Sequence, residues 1–352
     1  MKILKFILLF IPSVIYGFIV FCRNFLFDKK ILKSQKFDIP IICVGNITVG
    51  GTGKTPHTEF LIRLLKDDFN IAVLSRGYKR KTKGFRLVEF SSNFSDSGDE
   101  PLQIKRKFPN IIVAVCENRV VGIEKLIKNF PNLDCVILDD GFQHRKINPS
   151  FSILLNNYNR QFTKDYLLPL GKLRDCKTSY KRADYMIFSK CHSELSENEM
   201  VTLKNTINFD NEKILFSYLK YQNLINVFNS SKIIDLSEIE KFNILLITGI
   251  AESDNLKKYL EKNCKSLTHL KFSDHHNFYK KNIEKINNIF EKIESEKIIL
   301  MTEKDSIKFI NFEENLKLKN NIYYIPIIIE IFNNYQELSN FKTKIINHVR
   351  KT

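Results

Sequence analysis

Short apolar runs rich in β-forming residues alternate with helical patterns along most of the chain. The runs at 40–44, 71–74, 111–115, 135–138, 151–155 and 185–188 are continuous rather than polar-alternating. A strand that is apolar on both sides must be covered on both sides, so these runs predict a mostly parallel sheet with helices above and below it. Between 216 and 241 the pattern turns irregular and holds an Asn-Ser-Ser turn at 229–231, which places a junction there. A second alternation follows, with strands expected at 244–248, 268–272, 298–301 and 322–329 and a helix at 282–293. Residues 91–98 carry few apolar side chains and read as a flexible loop.

The first residues break this pattern. Positions 6–22 are uncharged, with Lys2 and Lys5 before them and Arg23, Lys29 and Lys30 after. The segment is short for a spanning helix, and Pro12 and Gly17 would bend or weaken it. Val20, Phe21 and Cys22 offer no small-residue cleavage site. An uncleaved anchor embedded from the cytoplasmic face is favoured; a single span and a buried core helix are the alternatives. The expected division is thus a membrane-associated helix at 1–30, a nucleotide-binding domain at 31–215, and a linker with a smaller α/β domain at 216–352.

Composition narrows the function classes. The chain has 352 residues, 43% of them hydrophobic, enough for a full core, and a formal net charge of +16. Solvated surface accounts for most of such an excess, with an anionic membrane or a phosphorylated substrate next. Nucleic acid is disfavoured, because no common recognition module is evident. Seven cysteines lie scattered without a C-x-x-C pair, the pattern of reduced, buried thiols rather than a disulfide frame or zinc site.

The candidate chemistry starts at Thr48, Val49, Gly50, Gly51, Thr52, Gly53, Lys54 and Thr55, a glycine-rich loop between a strand and a helix. Its backbone N–H groups can cradle a polyphosphate, Lys54 adds charge near the β- and γ-phosphates, and the Thr55 hydroxyl can hold Mg2+. The run at 135–138 ends in Asp139 and Asp140, carboxylates placed to orient that Mg2+; a plain Asp-Asp-Gly turn is the bland alternative. The turn continues through Gln143 and His144, which could reach the same cleft as substrate contacts. Arg76 and Arg119 each follow an expected strand and suit bidentate phosphate contact. Phosphoryl transfer to an alcohol needs a group that accepts the hydroxyl proton, and Asp99, in Gly-Asp-Glu-Pro, is the best offer, although alone it reads as a helix N-terminus. His275, in Asp-His-His, could tune that base if the two domains face each other. No Asn-Lys-x-Asp guanine-reading motif occurs, which favours ATP over GTP.

Taken together, these segments resemble the tetraacyldisaccharide 4'-kinase family of the lipid A pathway. The resemblance rests on VGNITVGGTGKTP at 44–56, SRGY at 75–78, GDEP at 98–101, DDGFQH at 139–144, LPLGKLR at 168–174, RAD at 182–184, SDHH at 273–276 and MTEKD at 301–305. It implies a P-loop NTPase-type α/β fold with a second, smaller α/β domain and an N-terminal membrane-anchor helix. The implied reaction moves the γ-phosphate of ATP, with Mg2+, to the 4'-hydroxyl of a lipid A disaccharide 1-phosphate at the cytoplasmic face of the inner membrane. It also implies Asp99 as proton acceptor, His275 as its partner, and Asp139 and Asp140 as metal and catalytic carboxylates. The anionic membrane surface is the expected partner, with no nucleic acid and no obligate protein. Two rival readings of the residues are a membrane-associated nucleotide-hydrolysing switch and a nucleotide-binding interaction module.

Overall fold

Glycine and polar residues end most of the apolar runs, and the strands they delimit sort into two sheets in the computed structural model, which describes residues 2–294, 296–310, 312, 318–332 and 335–350. Helix α1 (Lys2–Asp28) leads into β1 (Ile41–Gly45), α2 (Lys54–Leu65), β2 (Ile71–Ser75), β3 (Arg86–Leu87), α3 (Phe94–Ser97), α4 (Asp99–Lys107) and β4 (Ile112–Val115). There follow α5 (Arg119–Asn129), β5 (Cys135–Asp139), β6 (Phe151–Asn157), β7 (Tyr185–Cys191), α6 (Glu197–Lys204) and β8 (Ile214–Tyr221). The remaining chain forms β9 (Leu224–Asn226), β10 (Ile233–Ile234), β11 (Asn243–Thr248), α7 (Asp254–Asn263), β12 (Ser266–Lys271) and α8 (Lys280–Glu291). It closes with β13 (Lys297–Thr302), α9 (Glu303–Phe309), β14 (Ile322–Ile325), β15 (Ile327–Ile331) and α10 (Tyr335–Arg350).

Among the described residues, the first sheet has nine strands in the order β15-β8-β7-β6-β1-β5-β2-β4-β3. It is parallel except at its edges, where β3 and β15 run antiparallel to their neighbours. The chain fills one side of β1 with β5, β2 and β4, then crosses to the other with β6, β7 and β8. A crevice therefore opens at the carboxyl end of β1, where such sheets bind ligands. Apolar side chains on the two sides of this sheet form two cores, one under α2 and the other under α5. The second sheet, β10-β9-β14-β13-β11-β12, is parallel from β14 to β12. Its amphipathic helices α7 and α8 bury Leu256, Leu260, Ile283, Ile286 and Phe290.

Three expectations need correction. The stretch at 216–241 is not merely irregular: it holds most of β8 together with β9 and β10, whose shortness hides any period-2 signal. The run at 322–329 is two strands. Pro326, which has no N–H for a ladder, separates β14 in the second sheet from β15, which returns to the first. Residues 91–98 include the short α3, capped by the Asn93 side chain, which leads into α4. The two lobes are consequently joined at two adjacent crossings, and the Gln222 backbone N–H donates to the Pro326 carbonyl (3.0 Å) between them. Helix α10 buries Phe341 and Ile345 in the first lobe.

Helix α1 lies on the first lobe by a narrow polar and small-residue face. Ser13 donates to the Leu167 carbonyl (2.8 Å), Tyr16 to the Arg174 carbonyl (3.0 Å) and the Asn24 amide to Asp175 (2.7 Å). Gly17 packs so closely on Leu167 that a Cβ there would sit 2.7 Å from a methyl carbon. The opposite face leaves Leu8, Ile11, Val14, Ile15, Phe18 and Phe21 exposed.

Candidate active site

The phosphate loop follows β1 without a break. Gly50 (φ 106°) and Gly53 (φ 82°) adopt left-handed backbone that side-chain-bearing residues rarely take, and Gly53 caps α2. The loop is braced from beneath: the Asn46 amide donates to the Thr48 (3.3 Å) and Thr52 (2.8 Å) hydroxyls. Thr48, which stands where phosphate loops usually have glycine, pairs with Leu173, and the Val49 N–H bonds the Lys172 carbonyl (2.7 Å). His57 packs under the loop, its Nδ1 against the Gly53 carbonyl (2.7 Å) and its Nε2 against Ser217 (2.9 Å). Burial lowers its pKa to about 4, so it is a neutral brace.

Register places the acidic strand end beside this loop, because β5 pairs with β1 so that Val44 faces Asp139. Asp139 accepts from the Thr58 hydroxyl (3.3 Å). Burial, and then the nearby charges of Glu100 and Asp140, raise its pKa. Asp140 has the opposite balance. Burial works against its charge, but Lys54 (3.7 Å) and a two-pronged contact from Arg174 overcome it and hold the carboxyl at about 2. Among the described residues, no three His, Cys, Asp or Glu side chains gather as a metal cage. Mg2+ keeps water and takes one or two carboxylates plus phosphate oxygens, so Thr55, Asp139 and Asp140 fit as its donors.

Across the cleft, the second lobe supplies His275. Its Nδ1 lies 2.8 Å from Asp99 Oδ2, a contact between residues 176 positions apart. The other ring nitrogen faces the Lys304 ammonium (3.2 Å), and that pair of partners suits the Nδ1–H tautomer. Asp99 is the first residue of α4, and its Oδ1 accepts the Glu100 N–H (3.0 Å). Lys308 stands 3.1 Å from Oδ2, and Lys304 bridges to Glu100 (2.9 Å). Burial would raise the Asp99 carboxyl, yet the His275 hydrogen bond with Lys304 and Lys308 outweighs it and holds the group well below the ordinary range. The His275 backbone is fixed in turn. Its N–H bonds the Gly249 carbonyl (2.9 Å), and the Gly249 N–H bonds Asp305 (2.9 Å), itself locked by Thr302 (2.7 Å).

These elements enclose a cleft of about 530 Å3 lined by all eight loop residues, Asp139, Asp140 and His275. Arg76 and Arg119 also line it; Arg119 is buried, and burial lowers its pKa to about 10. Asp99 is not itself a lining residue but adjoins two that are, His275 through their hydrogen bond and Glu100 next in sequence. Gln143 and His144, expected in the cleft, are not part of its lining: the Gln143 amide donates to the Asn46 carbonyl and its own carbonyl accepts from Arg23. Burial, with the Arg119 charge next, lowers His144 to about 4.

A family model described as tetraacyldisaccharide-1-P 4'-kinase matches residues 5–347. The chain belongs to the tetraacyldisaccharide-1-P 4'-kinase family. It is 43% identical to a tetraacyldisaccharide 4'-kinase of Flavobacterium psychrophilum, over 98% of this chain and 97% of the relative. It is also 43% identical to one of Phocaeicola vulgatus, covering 96% and 94%. The crystal structure of LpxK from Aquifex aeolicus in complex with ATP superposes with a TM-score of 0.74 at 28% identity, over 96% of this chain and 97% of that one. The mostly parallel α/β fold with its apolar N-terminal helix is thus the fold of this kinase family.

The LPLGKLR and MTEKD segments each carry cations whose place in the site their residue types alone did not announce. Arg174 comes from the first and holds Asp140 and Asn46. Lys304 comes from the second, and Lys308 follows one helical turn later on the same face of α9. That four-residue spacing was the available signal.

Proposed function

We propose that this chain transfers the γ-phosphate of ATP to the 4'-hydroxyl of a tetraacyldisaccharide 1-phosphate in lipid A biosynthesis, with Mg2+, at the cytoplasmic face of the inner membrane. The observation that carries the reading is the Asp99–His275 bond between lobes, beside a glycine-rich phosphate loop. Loop N–H groups and Lys54 hold the β- and γ-phosphates. Thr55, Asp139 and Asp140 would hold Mg2+, which when bound neutralises charge on the phosphates. The 4'-oxygen bonds to the γ-phosphorus as the bond from that phosphorus to the β–γ bridging oxygen breaks, and ADP leaves. Asp99 accepts the hydroxyl proton, and His275 orients the carboxylate from the facing lobe. A depressed carboxyl is a weak base, but a loose phosphoryl-transfer transition state asks mainly for an aligned hydroxyl. Arg76 and Arg119 offer guanidinium groups to the anionic headgroup.

The membrane side of the proposal rests on α1. Its exposed apolar face suits the bilayer interface, and Arg174 ties it to the chemistry, since its carbonyl accepts from Tyr16 while its guanidinium holds Asp140. An acylated sugar could then reach the γ-phosphate without leaving the bilayer. Incubation with labelled ATP, Mg2+ and lipid A disaccharide 1-phosphate in detergent is expected to yield labelled lipid. Label no higher than that of a Lys54→Ala control would remove the kinase reading. Steady ATP hydrolysis without lipid would favour the hydrolysing switch instead.

A further inference from the structure

Lys190 has no part in the mechanism above, yet three independent features aim it at the phosphate loop. First, the ladder between β7 and β8 is irregular between Phe188 and Cys191, and within that irregularity Lys190 has φ 61°. Left-handed backbone is unfavourable for a side-chain-bearing residue and persists where something over-determines it. Asp140 and His275, both on the cleft wall, share this conformation, at φ 55° each. Second, the strain delivers an ammonium to the loop: a Cβ placed on Gly51 would lie 3.6 Å from Lys190 Nζ. Gly51 sits in the middle of the loop, where backbone N–H groups meet the β- and γ-phosphates. Third, the partner of Lys190 is exchangeable. Its side chain is 14% exposed, whereas that of Glu252, whose Oε2 lies 2.6 Å away, is 48% exposed and comes from the second lobe, just ahead of α7.

We propose that Lys190 is a further nucleotide-binding residue, which leaves Glu252 for the β–γ region of a triphosphate and supplies in cis a second cation beside Lys54. A half-exposed single carboxylate competes poorly with a polyphosphate for a compact ammonium on a flexible stem. In a loose transition state, charge develops on the β–γ bridging oxygen and the equatorial oxygens, and a cation held there acts as arginine fingers do. Glu252 then serves as the resting counter-ion, linking release of Lys190 to the position of the second lobe. This rests on reading the loop as a triphosphate site and is independent of which alcohol accepts the phosphate.

Calorimetric titration of the full chain with a non-hydrolysable ATP analogue and with ADP, for wild type, Lys190→Met and Glu252→Gln, tests the proposal without lipid. Lys190→Met is expected to weaken the triphosphate analogue by roughly tenfold or more and ADP by under about threefold, because a charge-assisted contact to the γ-side is lost. Glu252→Gln is expected to tighten the triphosphate analogue a few-fold, because the competing anion is gone. A purely structural ion pair predicts the same sign for both variants. Weakening in both, equal losses for ATP analogue and ADP, or no change in either would overturn the proposal. Should Lys190→Met fail to fold by circular dichroism, Glu252→Gln alone carries the sign test: a tightened triphosphate analogue supports the proposal, and weakening or no change overturns it. A wild type that binds triphosphate but labels no lipid removes the kinase reading alone; one that binds no triphosphate removes both.

Discussion

Replacing His275 by alanine isolates the contribution of the second lobe to the reacting hydroxyl. Asp99 would keep Lys308 at 3.1 Å and Lys304 at 4.0 Å after the imidazole is gone. At an effective dielectric constant of about 20, the nearer pair alone is worth roughly 5 kcal/mol before desolvation is subtracted, so the carboxylate stays ionised at neutral pH. What disappears is one charge-assisted hydrogen bond of 2.8 Å, worth roughly 1.5–3 kcal/mol, and with it the orientation of the carboxylate. The expected result is a kcat lowered by roughly 10- to 150-fold with the KM for ATP within about threefold, since the loop and Lys54 are untouched. Asp99→Ala is the harsher change. It should abolish most turnover while ATP binding persists, but it strands Lys308, only 3% exposed, at a cost of roughly 3–5 kcal/mol. His275→Ala is therefore the cleaner probe, read by label transfer at varied ATP and lipid alongside a thermal melt. Turnover within threefold of wild type, or a loss carried equally by the KM for ATP, would refute a lobe-bridging proton acceptor.

Three further outcomes follow from charge and burial. Asp139 has a folded-state pKa above its unfolded value of about 3.9, so the folded state binds the extra proton and stability falls as pH rises through the raised value; Asp139→Asn should gain stability over wild type in urea at pH 8 and little at pH 4.5, and equal effects at both would contradict the assignment. Lys107 Nζ lies 2.7 Å from both Glu59 and Glu303, so Lys107→Met should destabilise by roughly 3–5 kcal/mol and Lys107→Met with Glu303→Gln by clearly less; additive losses would show that the three do not act as a unit. On α1, Ile15→Asp with Phe18→Asp should cut binding to anionic-lipid vesicles by roughly tenfold or more while detergent-assayed turnover stays near wild type, whereas unchanged vesicle binding would remove this face from the membrane.

Much of the fold was legible because the central strands are apolar on both faces. β1, β2, β5, β6 and β7 begin within a residue of the runs that announced them, since a continuous apolar stretch bounded by turn residues has few other homes. β8 was missed because Ser217 and Lys220 interrupt it, and the split at Pro326 because identical isoleucines flank it on both sides. Within the site, the loop, the paired aspartates and Gly-Asp-Glu-Pro were legible as residue types at fixed spacing. The meeting of Asp99 with His275 was legible only as a condition, that the two domains face each other, and the family resemblance is what favoured it, since nothing local links positions 176 apart. Lys190, Lys304, Lys308 and Arg174 stayed hidden for another reason: among 55 Lys and Arg, one functional cation has no contrast.

The distribution of partners across the two lobes makes the site conditional on their arrangement. Asp99 belongs to α4 on the first lobe, while its orienting imidazole, Lys304 and Lys308 all come from the second. The phosphate-loop helix is tied to that same lobe, because Glu59 on α2 shares Lys107 with Glu303 at the start of α9. Among the described residues the backbone passes between the lobes at two adjacent crossings, so a rotation there would separate Asp99 from His275 and strain the Glu59–Lys107–Glu303 link together. A half-buried lysine holding two buried carboxylates resists such a rotation, since opening it would leave those carboxylates without their counter-charge. The proposed acceptor is therefore assembled by the same packing that fixes the phosphate-loop helix, which is how, on that proposal, a carboxylate with so little intrinsic basicity is kept aligned for the hydroxyl.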